Sequence, residues 1–420
     1  MNVRKWKKGC LHCHTLWSDG RSLPEMVLRR YRDDGYDFVC LSDHNLIQNR
    51  NDLWLPLHRE NNDWPPDLSY EEFQRTESML PGCVETKQIG VRTFVHLKPF
   101  KQLKNEFEEA GRFLVIPGEE ITIIAVNFGE EGKSYDLHLN IFNLEHEFSV
   151  PREGSAGKLI RHVLEQYAAA AMGRPGKNSF LMLNHPFYRV WDVDPRLLID
   201  FPEIRIFEIC NCGSSQMPED WICDREKYWD FILAHRLKNG KSILYGAASD
   251  DAHFYDSEKT AVPGTSGTGW IMVDCPKEFT PEAVSRSILR GDFYASCGVL
   301  LKNVAFDQAK GRLMIEVDPE PGIEYRIDFI TTKNDFDSSI RLKEYPMNPE
   351  IYTRTRPVIP DDVGTVAKTV NGIKGTYTLK EDDLYVRALI TSNKPGLIKN
   401  HFYPLFQSAW SQPFCKSKDF

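Results

Sequence analysis

The sequence contains no long apolar run and no recognisable export signal. None of its 420 residues lies in an uninterrupted apolar stretch of the roughly 18 to 20 residues that a membrane-spanning helix needs. The first residues, Met1 to Trp6, lack the apolar segment of a secretory leader. We therefore expect a cytoplasmic protein that has no membrane partner.

Positive charge is in the minority. The chain has 52 Lys and Arg against 60 Asp and Glu, which gives a formal net charge of −8. Binding to a long nucleic acid depends on basic surface, so the composition disfavours that class of partner. A small anionic substrate held by metal ions stays compatible with this charge. The sequence gives no indication of the oligomeric state.

Two common catalytic patterns are also missing. The chain has no G-x-S-x-G motif, which argues against a serine hydrolase. The glycine-rich stretch from Gly264 to Gly269 lacks the Lys of a phosphate-binding P-loop, so we expect a flexible rim loop there. The ten cysteines are scattered, often inside apolar runs, and a chain of this size does not need disulfides. Reduced thiols fit this pattern best.

The first 44 residues hold four potential metal ligands. A short strand leads into His12 and His14, and both imidazoles face the same side because strand side chains alternate. Asp19 follows in the next loop, and His44 follows the apolar run 38–41. The intervening helix up to Gly35 completes a β-α-β unit, in which the two strands are expected to be parallel.

The same pattern, an apolar strand followed by a ligand-type residue, recurs downstream. We count seven such strands, separated in part by helices near 100–111, 155–172 and 225–239. Functional groups at the carboxyl ends of successive parallel strands are typical of a β/α barrel. The later members of the series are Glu119, His138, His185, Glu208, Asp250, Asp251 and His253.

The alternation of side chains along a strand distinguishes between neighbouring candidate ligands. If the backbone near residue 250 is extended, Asp251 and His253 share one side and Asp250 faces the other. We therefore expect Asp251 and His253 to be ligands and Asp250 to support them. Glu208 could bind an ion or orient a ligand histidine. The remaining histidines lie in helices or irregular segments and are assigned no site role: His58, His96, His146, His162, His235 and His401.

These motifs resemble the polymerase and histidinol phosphatase (PHP) superfamily of metal-dependent phosphoesterases. Its opening motif is H-x-H-S-x-x-S-D-G followed by S-D-H, and here Thr15 replaces the usual Ser. The resemblance implies a distorted seven-stranded, TIM-like (β/α)7 barrel within the α/β class. It also implies nine ligands for two or three divalent ions: His12, His14, Glu119 and Asp251 for one, Asp19, His44 and His253 for a second, and His138 and His185 for a third, with Glu119 bridging.

Mixed imidazole and carboxylate ligation suits Zn, Mn or Fe and does not discriminate among them. Such ions would activate a water for hydrolysis, so no protein nucleophile is required. Asp251, His253 and Glu119 are the predicted catalytic residues. Asp43, Glu208 and Asp250 are expected to support the ligands, and Arg21 and Arg189 are candidate contacts to a substrate phosphate.

The sequence predicts two domains. The barrel should occupy residues 1–297, with 45–99 as an insertion or lid because this stretch shows no sustained periodicity. Residues 298–420 alternate short strands and turns, which indicates an antiparallel, sandwich-like β domain.

A phosphoesterase acting on a small phosphorylated substrate is the favoured function. A metal-dependent hydrolase of carboxyl or carbamate esters and a non-catalytic metal-binding scaffold are the alternatives.

Overall fold

The structure is a computed structural model that describes residues 6–58, 68–126, 134–144, 146–150, 154–172, 178–187, 193–213, 224–255, 263–275, 278–348, 352–398 and 405–416. Within these residues, no helix has the length and apolar character that crossing a bilayer requires.

Strands and helices alternate through the first part of the chain. In order they are β1 (Trp6–Cys10), α1 (Pro24–Asp33), β2 (Phe38–Leu41), β3 (Trp54–His58), β4 (Leu68–Ser69), α2 (Tyr70–Met79), β5 (Thr86–Ile89), β6 (Arg92–His96), α3 (Phe100–Phe107), β7 (Leu114–Val126), β8 (Ser134–Phe142), α4 (Ala156–Met172), β9 (Phe180–Leu183), α5 (Pro195–Asp200), β10 (Ile206–Asn211), α6 (Arg225–Lys238) and β11 (Tyr245–Ser249).

The rest of the chain is mostly β-structure. Its elements are β12 (Trp270–Asp274), α7 (Pro281–Leu289), β13 (Phe293–Ser296), β14 (Leu301–Asp307), β15 (Arg312–Val317), β16 (Tyr325–Thr331), β17 (Leu342–Asn348), β18 (Tyr352–Pro357), β19 (Thr365–Asn371), β20 (Lys374–Thr378), β21 (Arg387–Pro395) and β22 (Phe406–Ser411). Helix α7 begins as its sequence indicates, with the Thr280 side chain accepting from the Ala283 N–H and Pro281 in the first turn.

Seven strands form one end of the largest sheet, in the order β11-β10-β9-β8-β7-β2-β1, with β11 at the edge. The pairs β1–β2, β2–β7, β9–β10 and β10–β11 are parallel, as expected of a barrel. Strand β8 instead runs antiparallel to both β7 and β9. The interval 127–133 between β7 and β8 is too short for a parallel crossover, which needs about a dozen residues or more.

Both faces of these strands are buried. Leu114, Ile116 and their counterparts on the other strands form one buried cluster, to which α7 adds Val284 and Ile288. Val115 and its counterparts pack against the helices. An isolated parallel bridge between Cys13 and Ala252 links the segments that follow β1 and β11. A closed seven-stranded barrel stays a prediction, because this contact is a single bridge and not a continuous ladder.

The insertion 45–99 has secondary structure of its own. Strands β3 to β6 make a four-stranded sheet in the order β4-β3-β6-β5, and helix α2 follows β4. The insertion contacts the segment before α1 through Arg75, which donates to the Ser22 hydroxyl at 3.0 Å. Lys98, at its end, pairs with Glu106 of α3 at 2.6 Å. A lid role for this segment stays a prediction.

The C-terminal residues are antiparallel β-structure, as the sequence indicates. The large sheet, however, continues across residue 297: β12 pairs with β1, β13 with β12, and β22 with β13. Strands β21, β16 and β19 extend it further, and β14-β15-β20 and β17-β18 form two smaller sheets. The division at 297/298 therefore stays a prediction, and strand pairing crosses it.

A buried ion pair also joins the two parts of the chain. Arg387 of β21 donates twice to Asp230 of α6, at 2.7 and 2.6 Å, and both side chains have no exposed surface. Tyr385 donates to the same carboxylate at 2.6 Å. Arg387 also contacts Glu226 at 2.6 Å, and Glu226 accepts from the Trp410 indole. Helix α6 is thereby attached to β21 and β22.

Asp230→Ala is expected to destabilise the whole chain by about 3 to 5 kcal/mol, because it leaves the Arg387 guanidinium buried without its main partner. Urea unfolding measures this loss. The matched control is Asp33→Ala, which removes an exposed helix pair with Arg29 that is worth at most about 1 kcal/mol. Equal unfolding midpoints for Asp230→Ala and the wild type would show that the buried pair contributes nothing.

Candidate metal centre

The first motif provides two buried imidazoles that face each other. His12 Nε2 lies 3.1 Å from His14 Nε2, directly beyond the end of β1. Cys13 faces the other way, with its thiol donating to the Cys40 carbonyl at 3.3 Å. The alternation expected from the sequence therefore holds for these three residues. Two ring nitrogens at this separation need a proton or a cation between or beside them.

The Asp19 carboxylate contacts a second set of ligand-type residues. Its Oδ2 lies 3.2 Å from His253 Nε2 and 3.4 Å from His44 Nε2, and its Oδ1 lies 3.3 Å from His14 Nδ1. Thr122, a residue not anticipated from the sequence, contacts His44 Nδ1 at 2.8 Å. The loop after β1 thus turns the Asp19 carboxylate back to the histidines, as predicted.

Glu120 places its carboxylate at the centre of the cluster. Its Oε2 lies 3.1 to 3.2 Å from ring nitrogens of three histidines, and its Oε1 lies 2.9 and 3.4 Å from those of two more. In that order the five residues are His12, His14, His44, His138 and His185. Glu120 therefore bridges the first motif and the two downstream histidines.

The prediction that Glu119 is the bridging and catalytic carboxylate is wrong by one residue. Glu119 lies on the face of β7 that packs towards the helices, together with Val115 and Ile121. Its Oε2 accepts from the Phe148 N–H at 2.9 Å, and burial raises the pKa of Glu119 to about 8. The physical reason is the period of two: Leu114, Ile116 and Glu120 occupy the inner face of the same strand.

Asp251 lies against the first-motif pair, as predicted. Its Oδ1 is 3.1 Å from His14 Nε2 and 3.3 Å from His12 Nε2. Its Oδ2 accepts from the Asn211 side chain at 3.2 Å. The backbone of Asp251 has φ +46°, a left-handed conformation that non-glycine residues adopt rarely and at a cost of about 1 to 3 kcal/mol.

Glu208 supports His12. Its Oε1 accepts from His12 Nδ1 at 2.7 Å, and its Oε2 accepts from the His185 N–H and from Asn211, each at 2.7 Å. Ser249 also donates to Glu208. Of the two roles that the sequence left open, this geometry favours orientation of a ligand histidine.

Three amides and hydroxyls in this network were not anticipated from the sequence. Asn211 bridges Glu208 and Asp251, Ser249 donates to Glu208, and Asn184 donates to Glu120 Oε1 at 2.7 Å. All three lie at or just beyond strand ends, and Asn184 and Ser249 directly precede His185 and Asp250. That position is the signal that could have identified them.

Asp43 and Asp250 lie behind the cluster. Asp43 accepts from the Thr15 N–H at 2.8 Å and from the Ser18 hydroxyl at 2.7 Å, which fixes the loop that carries Asp19. Asp250 accepts from backbone N–H groups of the stretch 264–269. The prediction of a flexible rim loop there is wrong, because the stretch is mostly buried and its N–H groups surround a carboxylate.

Of the two arginines predicted to contact a substrate phosphate, the structure describes Arg21. The Arg21 N–H donates to the His253 carbonyl at 2.9 Å, which ties the first loop to the last ligand-type residue, and its side chain is half-buried. Contact between its guanidinium and a substrate stays a prediction. Arg189 lies outside the described residues.

The donor set fits divalent ions. Four overlapping groups of three residues each offer ligand atoms within 4.8 Å of one another: His12, His14 and Asp251; His14, His44 and Glu120; His14, Asp19 and His253; and Glu120, His138 and His185. His138 Nε2 is buried and has no hydrogen-bond partner among the described residues. Imidazole and carboxylate donors without thiolate suit Zn²⁺, Mn²⁺ or Fe²⁺.

Charges in the cluster determine its protonation in the absence of metal. Burial alone would lower the pKa of His12 and of His14, but Asp251 and Glu120 raise both well above the ordinary value. Burial would likewise raise the pKa of Asp251 and of Glu120, but the histidines lower both well below it. The metal-free site therefore favours protonated His12 and His14, and a metal ion must displace those protons.

Zn²⁺ affinity is accordingly expected to rise more than tenfold between about pH 6 and about pH 8. A raised pKa keeps His12 and His14 protonated to higher pH, so protons compete with the ion most strongly at the acidic end. Competition with a chromogenic chelator at a series of pH values measures this. Affinity that is constant over the range would contradict the assignment of these histidines as ligands.

No family model and no curated protein matches the chain. Among solved structures, a two-domain protein containing a predicted PHP-like metal-dependent phosphoesterase from Bacteroides vulgatus aligns over 97% of this chain and 96% of its own, with 13% identity and a TM-score of 0.39. A predicted metal-dependent phosphoesterase from Bifidobacterium adolescentis aligns over 60% of this chain and 89% of its own, with 12% identity and a TM-score of 0.29.

An amidohydrolase from Chromobacterium violaceum, solved with bound sulfate and no metal, aligns over 62% of this chain and 88% of its own, with 12% identity and a TM-score of 0.27.

Proposed function

We propose that the protein is a metal-dependent phosphoesterase that hydrolyses a small phosphorylated substrate with a metal-activated water. The observation that carries this proposal is the convergence of six histidines and three carboxylates in one cluster: His12, His14, Asp19, His44, Glu120, His138, His185, Asp251 and His253. Nine ligand-type residues exceed the four to six or so that one ion uses. We therefore infer two or three divalent ions.

The charge of this set favours an anionic substrate. Its histidines bind metal in the neutral form, and its three carboxylates offset only part of the charge of two or three divalent ions. The loaded site is then net positive. A phosphate group, with several anionic oxygens, matches that charge better than a neutral ester does.

Bound ions would lower the pKa of a coordinated water to about 7 and stabilise charge on the leaving oxygen. The chain's own residues position that chemistry. Glu208 and Asn211 orient His12 and Asp251, respectively. An Nδ1–H tautomer of His253 donates to the Asp251 carbonyl at 3.0 Å and leaves Nε2 for metal binding. Asp251 accepts the proton of the attacking water.

Metal content is expected to be two or three ions per chain, lost together on chelation. The ions share His14 and Glu120 as neighbours, so removal of one leaves its partners with unpaired buried charge. Elemental analysis after purification without chelator, and again after treatment with EDTA, measures this. A stoichiometry of one or less after reconstitution with Mn²⁺ or Zn²⁺ would contradict the proposed cluster.

A substrate panel distinguishes the proposed activity from its alternatives. With added Mn²⁺ or Zn²⁺, the protein should hydrolyse p-nitrophenyl phosphate or bis-p-nitrophenyl phosphate in preference to p-nitrophenyl acetate. Preference for the acetate would instead support a carboxyl-ester or carbamate hydrolase on the same ions. Full metal occupancy without turnover of any of the three would support a non-catalytic scaffold.

A further inference from the structure

Among the described residues next to the metal centre, Asp250 has the most heavily hydrogen-bonded side chain, and it contacts none of the described ligand histidines. Its Oδ1 accepts from Thr268 N at 2.7 Å, Gly269 N at 2.7 Å and Thr268 Oγ1 at 3.1 Å. Its Oδ2 accepts from Gly267 N at 3.0 Å, Tyr31 Oη at 3.0 Å and Tyr36 Oη at 3.4 Å. Three of the six donors are backbone N–H groups, which can only donate, so they favour the carboxylate form.

The loop that surrounds Asp250 is shaped for this contact. Gly267 has φ +86°, a conformation that glycine adopts without penalty. A Cβ on Gly269 would lie 2.5 Å from the Ser249 carbonyl oxygen, so only glycine lets the loop approach this closely. Lys8 lies over the rings of Tyr36 and Trp270, at 3.9 and 4.4 Å from their centroids, and adds positive charge on the same side.

The next residue, Asp251, has the left-handed φ of +46° described above. Its main chain is constrained from both directions: the Asp250 side chain is fixed before it, and the Ala252 carbonyl accepts from the His14 N–H at 2.9 Å after it. A Cβ on Gly213 would lie 2.5 Å from Asp251 Cβ, so the Asp251 side chain also has little room to move. An unfavourable backbone conformation persists only where its surroundings impose it.

We propose that Asp250 is a positioning residue, which the loop 264–269 holds so that the strained backbone of Asp251 presents its carboxylate to the metal centre. This inference rests on the proposed metal-dependent function. Asp250 acts through Asp251 and touches neither ion nor substrate. The two consecutive aspartates thus have different roles. Asp250 is held by a cage of hydrogen-bond donors, and Asp251 faces the histidines.

Replacement of Asp250 by Asn keeps the size of the side chain but turns one acceptor oxygen into a donor that opposes an N–H group or a hydroxyl. The cage then relaxes, and Asp251 can leave its left-handed conformation. We expect Asp250→Asn to weaken metal binding about tenfold or more. Thr268→Val removes one of the six donors and should weaken binding in the same direction by about threefold.

The test uses the full chain and three readouts. Zn²⁺ affinity is measured by chelator competition, and the visible absorption of the Co²⁺-substituted protein reports the coordination geometry. The split between kcat and KM is measured at saturating metal. Asp250→Asn should alter the Co²⁺ spectrum and lower the affinity, with an unchanged KM. Asp33→Asn is the matched control, because Asp33 is an exposed aspartate of α1 that makes no contact with Asp250, and it should behave as the wild type does.

Metal binding by the wild type is measured first. If it binds no ion, the proposed function fails. If the wild type binds its ions and Asp250→Asn has the same affinity and the same Co²⁺ spectrum, the positioning role alone is overturned. If Asp250→Asn does not fold, as judged by far-UV circular dichroism, Thr268→Val and Tyr31→Phe replace it. Wild-type affinity in both of these variants would equally overturn the inference.

Discussion

Glu120→Gln is expected to abolish hydrolysis, with a loss of about 10³-fold or more in kcat/KM, and to lower the metal content. Glu120 contacts five of the six clustered histidines, and no other described side chain reaches both the first-motif pair and His138 with His185. An amide cannot replace the negative charge that Glu120 would supply to ions held by the two candidate groups that share it. The loss should therefore persist when metal is in excess.

Glu119→Gln is the matched control, one residue away on the opposite face of β7. Because burial raises the pKa of Glu119 to about 8, this carboxyl is mostly neutral near pH 7, and an amide of the same shape preserves the bond from the Phe148 N–H. Activity and metal content should stay near those of the wild type. The reverse outcome, an inactive Glu119→Gln and an active Glu120→Gln, would show that the side-chain register of β7 differs from this structure.

The choice between these two glutamates shows where the sequence stops being informative. Residues 113–116 are apolar throughout, so both faces of the strand are buried and no polar alternation marks the inner one. The sequence prediction takes Glu119, the first carboxylate after this apolar run. In the structure β7 continues to Val126, and the inner face then selects the second carboxylate. Where alternation was visible, at His12, Cys13 and His14, the prediction held.

The loop 264–269 shows that a local sequence pattern does not reveal a tertiary partner. Its glycines correctly indicate an unusual backbone, but the partner of that backbone is Asp250, which a local pattern cannot reveal. Absence of a P-loop Lys suggested mobility, whereas the N–H groups have a buried anion to bind. The strand positions and most ligand-type residues follow from local periodicity. Which groups those residues meet is decided by tertiary contacts.

In the C-terminal part, too, the sequence indicates the strands but not their tertiary contacts. Its alternating strands are evident in the sequence, but the pairing of β22 with β13 joins residues more than a hundred positions apart. Asp230 and Arg387 likewise look like ordinary charged residues until the fold buries them together. A boundary inferred from a change of periodicity is therefore compatible with one continuous sheet.

Asp251→Asn is expected to lower kcat by about 10²-fold or more with a much smaller change in KM. Asp251 lies within 3.3 Å of both first-motif histidines and is oriented by Asn211, so its carboxylate is placed to accept a proton from a water in the cluster. An amide of the same shape can still occupy the site but cannot act as the base. The effect should therefore fall on the rate and not on substrate binding.

The measurement is steady-state kinetics at saturating Mn²⁺ or Zn²⁺, with metal content determined on the same samples, so that loss of an ion is not mistaken for loss of the base. Asp250→Asn is the comparison at the adjacent position: once metal is saturating, its kcat should fall much less, because Asp250 acts only through the placement of Asp251. If metal-loaded Asp251→Asn keeps nearly full activity while Asp250→Asn is inactive, the two aspartates have exchanged roles, and the contacts that place Asp251 at the histidines and Asp250 in the loop 264–269 do not determine them.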